Sequence, residues 1–176
     1  MDQALLAALN PGADFAVAGA RILVASPTNA PLPAVARVTV DKSNDEVSAY
    51  DALGKIVAVF PATVGSTERP APSGRFAVVA VAPNPNYTYD PSRLTFGNAS
   101  RGKFTIPPGP NNPVGSTWIA LSIPTYGIHG TPDPREVGKT ASHGCVRLTN
   151  WDAAALGHAV SKGTPVVFLG TQRRKG

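Results

Sequence analysis

With a single cysteine, Cys145, among 176 residues, the chain has no intramolecular disulfide and must hold its fold by packing. Charged residues are scarce at 15% and aromatic ones at 7%. They form no basic stripe interleaved with aromatics, which excludes the usual design of a single-strand nucleic-acid binder. Long apolar runs are also missing. The longest, Phe76 to Ala82, has seven residues, against roughly 18 for a helix that crosses a bilayer. Met1-Asp2-Gln3 puts no basic patch ahead of the first apolar stretch, and Asn10, Pro11 and Asp14 break the apolar run beyond it, so no signal peptide is visible.

What is abundant is backbone punctuation: 17 Gly and 18 Pro, with 43% apolar residues. That apolar share is too high for a disordered tail, and the Gly and Pro content stays below that of low-complexity sequence. One compact domain with a short appendage is expected, because a chain of this length buries a core without staples. Lys and Arg outnumber Asp and Glu 16 to 11, a net charge of +5, which favours acidic partners. Arg173-Arg174-Lys175 is the one basic cluster and reads as a solvated end, so nucleic acid is not an expected partner.

Asp2 to Leu9 is a short helix candidate, capped by Asp2 and stopped by Asn10-Pro11-Gly12. The proline-bearing stretch Ser26 to Pro33 reads as a linker, so residues 1–33 are assigned to an appendage, 34–170 to the main domain and 171–176 to a basic tail. From Ala36 the apolar period becomes two. Arg37 to Val40 and Val47 to Tyr50 predict a hairpin, followed by strands over Ile56–Phe60, Arg75–Ala82, Trp118–Ile123 and Tyr126–His129. Pro83 to Gly115 is rich in Pro, Asn and Gly and reads as a long functional loop. A helix capped by Thr149 or Asn150 carries Ala155, Leu156, Ala159 and Val160 on one face, closes at Lys162-Gly163, and precedes a last strand, Val166–Leu169. The fold is therefore mainly β with one or two short helices. Trp118, Tyr126 and Trp151 fall at positions where core packing is the default, with Tyr126 also within reach of a cleft.

Chemistry concentrates around Cys145, which lies in Ser142-His143-Gly144-Cys145-Val146-Arg147, a polar setting unlike that of a core cysteine. Two of the three histidines, His129 and His143, lie within sixteen positions of it. An ordinary thiol is only a few per cent thiolate at neutral pH, so a histidine base or a cation such as Arg147 would activate it. Gly144 removes a side chain beside the sulfur, and the N–H groups of Gly144 and Cys145 are candidates for an oxyanion hole. A zinc site from His129, His143 and Cys145 is the alternative, though zinc ligands are usually paired more tightly. A papain-like protease would need Cys before His, the reverse of the order here. His158, on the Ala-rich helix, reads as a surface residue.

Ile128-His129-Gly130-Thr131 followed by Ser142-His143-Gly144-Cys145-Val146-Arg147 resembles the L,D-transpeptidase catalytic domain (YkuD type) of bacterial cell-wall enzymes. Pro70-Ala71-Pro72-Ser73-Gly74-Arg75-Phe76 looks like that family's early turn and strand, and Pro107-Pro108-Gly109-Pro110-Asn111-Asn112-Pro113-Val114-Gly115 like its loop ahead of the histidine strand. The resemblance spans roughly residues 36 to 170. It implies a mixed β-sandwich, Cys145 as nucleophile, His129 as base, and Gly130, where several relatives carry Ser, orienting the imidazole through its carbonyl. Ser142, His143 and Gly144 are implied as support, and Arg147 and Tyr126 as substrate contacts. The implied reaction is acyl transfer from a peptidoglycan tetrapeptide stem through a thioester to an amine, with no metal or cofactor. The acceptor is another stem or an outer-membrane protein or lipoprotein. A non-catalytic wall-binding module and an L,D-carboxypeptidase on the same fold are the alternatives. Residues 7–24 look like the tail of a wall-binding module, which implies a longer parent protein exported to the periplasm by a signal outside this chain.

Overall fold

The computed structural model describes residues 3–24, 30–66, 69–91, 102–109, 111–139 and 144–171. The chain divides into two compact units, residues 1–30 and 31–176. In the first, helix α1 (Gln3–Leu9) ends at Asn10. The Asn10 amide donates to the carbonyls of Leu6 and Leu23, both at 2.8 Å, and accepts from the Leu23 N–H at 2.6 Å. One polar side chain thus closes the loop that a buried core would otherwise close, and Phe15, Val17, Ile22, Leu23 and Val24 remain exposed.

The second unit is built from strands β1 (Arg37–Asp41), β2 (Glu46–Tyr50), β3 (Ile56–Pro61), β4 (Thr63–Val64), β5 (Gly74–Pro83), β6 (Tyr87–Tyr89), β7 (Phe104–Ile106), β8 (Thr117–Leu121), β9 (Gly127–His129), β10 (Val146–Arg147) and β11 (Pro165–Leu169). Helix α2 (Asn150–Ala159) lies between the last two. Among the described residues, nine strands form one mixed sheet in the order β3-β2-β1-β11-β5-β8-β9-β10-β4, and β6 and β7 form a separate ribbon. Two pairs are parallel, β1 with β11 and β9 with β10.

Strand β5 serves both halves of the large sheet. Gly74–Ala77 pair with β11, Val78–Pro83 pair with β8, and the register shifts between Val78 and Ala80. A bulge at such a point bends the strand and lets one sheet turn over on itself. The apolar faces of the halves meet in one core, with Val38, Val40, Val47 and Val166 from one and Val78, Ile119, Ile128 and Val146 from the other, all at most 1% exposed. This is the mainly β architecture that the sequence implied, with two α-helices among the described residues.

The sequence reading of residues 83–115 as irregular needs correction, because β6 and β7 pair there in the register Tyr87↔Ile106 and Tyr89↔Phe104. Three-residue strands are too short to display a period. Trp151 is also misplaced by that reading: it is 64% exposed rather than in the core. The buried face of α2 runs through Ala153, Leu156, Gly157 and Val160, and Trp151 projects from the first turn, away from that stripe. The cap is Thr149, whose hydroxyl accepts from the Asp152 N–H at 3.2 Å and donates to the Asp152 carboxylate at 2.6 Å.

Helix α2 approaches the sheet closely at Gly157. A Cβ there would lie 2.9 Å from Thr117 Cγ2 and 3.2 Å from Val81 Cγ1. Glycine in a helix interior is normally improved by alanine by roughly 1 kcal/mol, but overpacking costs about 1–3 kcal/mol, and the second effect should win here. Gly157→Ala is therefore expected to lower Tm by a few degrees in a thermal melt. An increase in Tm would mean that the helix can shift off the sheet at little cost.

Candidate active site

Strands β9 and β10 are short and pair in parallel, with Ile128 opposite Val146 and His129 opposite Arg147. Because successive side chains in a strand point to opposite faces, burying Ile128 and Val146 in the core turns their neighbours the other way. That outward face carries His129, Arg147 and, just ahead of β10, Cys145, all lining a cleft of about 1010 Å³. Strand β8 adds Trp118, the register partner of His129, whose ring stacks on the imidazole at 5.5 Å between centroids and 20° between planes.

His129 is 6% exposed, and its Nδ1 lies 2.6 Å from the Gly130 carbonyl oxygen. A carbonyl only accepts, so Nδ1 carries the proton and donates, leaving Nε2 as the acceptor of the ring. Burial pulls the His129 pKa down to about 4, the Gly130 hydrogen bond opposes the fall, and the Arg147 charge adds to it. At neutral pH the imidazole is neutral. Burial pushes the Cys145 thiol above the ordinary range, against a backbone hydrogen bond from Gly127 and the charge of Arg147. The resting pair is thus thiol and imidazole rather than thiolate and imidazolium, and a neutral imidazole is a competent proton acceptor.

Arg147 is held down by its own burial and supported in turn by Cys145, Glu136 and Asp133. Its Nε is buried without a hydrogen-bond partner among the described residues. Gly144, with φ at +114, holds a conformation that a side chain would strain, immediately before the sulfur-bearing residue. Thr63, buried and opposite Arg147 on β4, accepts from the Gly138 N–H at 2.8 Å and so ties down the segment between the histidine and cysteine strands.

The far wall of the cleft is the β6–β7 ribbon, with Tyr87, Tyr89 and Ile106. Burial raises the Tyr87 phenol, and the nearby Cys145 and Tyr89 raise it further. Asn112, 1% exposed, clamps the feet of the ribbon: its amide donates to the Pro85 carbonyl at 2.9 Å and the Pro107 carbonyl at 3.2 Å, while its oxygen accepts from the Val114 N–H at 3.0 Å.

Of the residues singled out from sequence, Cys145, His129, Gly130, Gly144 and Arg147 come together at this cleft or directly beside it. Ser142 and His143 lie outside the described residues, and with them the zinc alternative. Tyr126, implied as a substrate contact, stands close enough to Cys145 for the charge of the sulfur to add to burial in raising its phenol. It lines a separate shallow pocket of about 400 Å³, packs edge-on against Phe168 at 5.9 Å, and has a buried hydroxyl with no partner among the described residues. It precedes Gly127 and so shares the core-directed phase of Ile128. His158 is exposed.

A family model for the L,D-transpeptidase catalytic domain, YkuD, matches residues 36–168. The chain belongs to the YkuD L,D-transpeptidase family. Bacillus subtilis (strain 168) YqjB, an L,D-transpeptidase by name, is 31% identical over 148 residues, covering 81% of this chain and 76% of that protein. YkuD of Bacillus licheniformis is 31% identical over 166 residues, 93% of this chain and 84% of its own. Among solved structures, an L,D-transpeptidase from Mycobacterium smegmatis superposes with a TM-score of 0.58 at 21% identity, over 76% of this chain and 58% of the other. LdtMt1, solved in complex with imipenem, gives 0.58 at 20% identity, over 75% and 57%. The chain spans a little under three fifths of these solved chains, and at this identity they establish the shared L,D-transpeptidase fold.

Several residues of this family member's site were not legible beforehand. Trp118, which stacks on His129, reads as core from the sequence, and Gly127, whose backbone reaches Cys145, has no side chain to mark it. Tyr87 sits in the long stretch already read as functional, which is the one signal that pointed to it.

The burial of His129 also has a consequence for stability. Its folded pKa of about 4 lies below the value near 6.5 of the unfolded chain, so between those pH values the unfolded state binds the extra proton. Stability is therefore lost as pH falls through 6.5 towards 4, by as much as about 3 kcal/mol in the limit. Melting profiles at pH 7 and pH 4.5 should show a steeper acid loss for wild type than for His129→Gln, which has no proton to gain. Equal losses in the two proteins would contradict a neutral, buried His129.

Proposed function

We propose that this chain is a peptidoglycan L,D-transpeptidase in which Cys145 is the nucleophile and His129 the base. The observation that carries the reading is the parallel pairing of β9 with β10, which sets His129 and Cys145 on one cleft wall with Nδ1 committed to Gly130. In the first step Cys145 Sγ attacks the carbonyl of the third residue of a tetrapeptide stem while His129 Nε2 takes the thiol proton. The N–H groups of Gly144 and Cys145 hold the developing oxyanion. The C–N bond then breaks, the fourth residue leaves as an amine with the proton returned from His129, and a thioester remains.

In the second step an amine acceptor gives a proton to His129 and attacks the thioester, forming an amide and restoring the thiol. Arg147 holds a carboxylate of the stem through its N–H fork, which gives its Nε, unpartnered among the described residues, a use once substrate is bound. The acceptor is a second stem or a protein of the outer envelope, and the site of action is the periplasm. Purified protein incubated with disaccharide-tetrapeptide and an amine acceptor should lose the fourth residue and gain the acceptor, read as product masses. Loss of the fourth residue with water alone would make it a carboxypeptidase. Substrate bound but unchanged under every acceptor would make it a wall-binding module.

A further inference from the structure

We propose that Asn150 is a positioning residue for His129, acting by holding the Gly130 backbone that orients the imidazole. An Asn at the start of a helix usually caps it, but Thr149 already does so here. The Asn150 side chain instead reaches thirty-four residues back, where its Oδ1 accepts from the Ser116 N–H at 2.9 Å. Its backbone carbonyl also lies 3.5 Å from the Ser116 hydroxyl. The first turn of α2 is thus fastened to the start of β8 and lies directly over the residue after His129.

The fit at that point is tight. A Cβ on Gly130 would overlap Asn150 Oδ1 and lie 3.2 Å from both Asn150 Cα and Cγ, and a Cβ on Gly115 would overlap the same oxygen. Gly130 does not hold a left-handed φ, so its backbone would accept a side chain, and what leaves no room for one is Asn150. From the other side, the Gly130 N–H donates to the Thr117 carbonyl at 3.1 Å. Gly130 is therefore gripped between β8 and Asn150, and its carbonyl, the acceptor for His129 Nδ1 at 2.6 Å, is held in one orientation. A ring that turns with its acceptor would aim Nε2 away from the sulfur, and small misplacements of this kind cost rate steeply.

The inference rests on His129 being the base, and the experiment separates the two. Covalent acylation of Cys145 by a carbapenem is followed as a second-order rate by intact-protein mass spectrometry across pH 5 to 10, beside a thermal melt. Asn150→Ala is expected to slow acylation about tenfold at pH 7 and to recover as pH rises, because solvent-generated thiolate bypasses a misaimed base. Asn150→Asp keeps the shape and the oxygen acceptor and should stay within about threefold of wild type. Gly130→Ala should be slow, and Gly130→Ala with Asn150→Ala should be faster than Gly130→Ala alone, because the new methyl fills the space the amide leaves. If Asn150→Ala fails to fold, this rescue and Asn150→Ser make the same test. A lower Tm with the wild-type rate and pH profile would reduce Asn150 to a structural tie and overturn the inference while leaving the base assignment intact. A wild-type rate in His129→Ala would overturn both.

Discussion

Cys145→Ser is expected to show almost no acyl transfer and almost no covalent gain of carbapenem mass, while wild type gains one drug mass on Cys145. The loss should be about a thousandfold or more, because a serine hydroxyl is far less acidic than a thiol and depends entirely on its base. The site aggravates the change. Burial already raises the Cys145 thiol, and the groups that oppose the rise, the Gly127 backbone and the Arg147 charge, are arranged around a sulfur atom. An oxygen sits closer to its own Cβ and falls short of both. Cys145→Ala should retain the fold, since the side chain is only partly buried, and lose all acylation. A drug adduct of wild-type yield on either variant would show that another residue is the nucleophile.

His129→Ala is expected to slow acylation by about a hundred- to a thousandfold at pH 7, the usual contribution of a positioned base. The pH dependence is the sharper test. With His129 drawn down to about 4, the imidazole of the wild-type protein is unprotonated above that pH, so the rate should hold from pH 7 to near pH 5 and fall only below. In the variant, the thiol must ionise unaided, and burial has pushed its pKa up. The rate should then climb about tenfold per pH unit until the thiol's own pKa is reached. An acid limb near pH 6.5 in the wild type would mean that the imidazole titrates as if exposed, and the neutral pair would be wrong. If His129→Ala reacts at the wild-type rate while His143→Ala does not, the base is His143 and the site must be redrawn around it.

By itself the sequence determined what short-range rules control. The period of two over Arg37–Val40 and Val47–Tyr50 became the hairpin of β1 and β2, because the alternate residues Val38, Val40, Val47 and Ala49 all turn into the same core. Thr149 and the apolar spacing after it located α2, because capping and helical period both act within one or two turns. The pattern around His129 and Cys145 was legible because a thiol in a polar segment beside histidines has no use as core filler.

Only the tertiary structure decided what depends on contacts far apart in the chain. Strands β9 and β10, three and two residues long, have no period to read, and their parallel pairing is what turns His129, Arg147 and Cys145 to one face. Tyr126 fell to the core side by the same alternation, and Trp151 fell outside because α2 meets the sheet through Gly157. The clamp of Asn112 on Pro85 and Pro107 and the contact of Asn150 with Gly130 and Ser116 left no local mark. A side chain that serves a distant backbone satisfies a partner the local sequence does not name, so its role becomes visible only when the chain has closed around it.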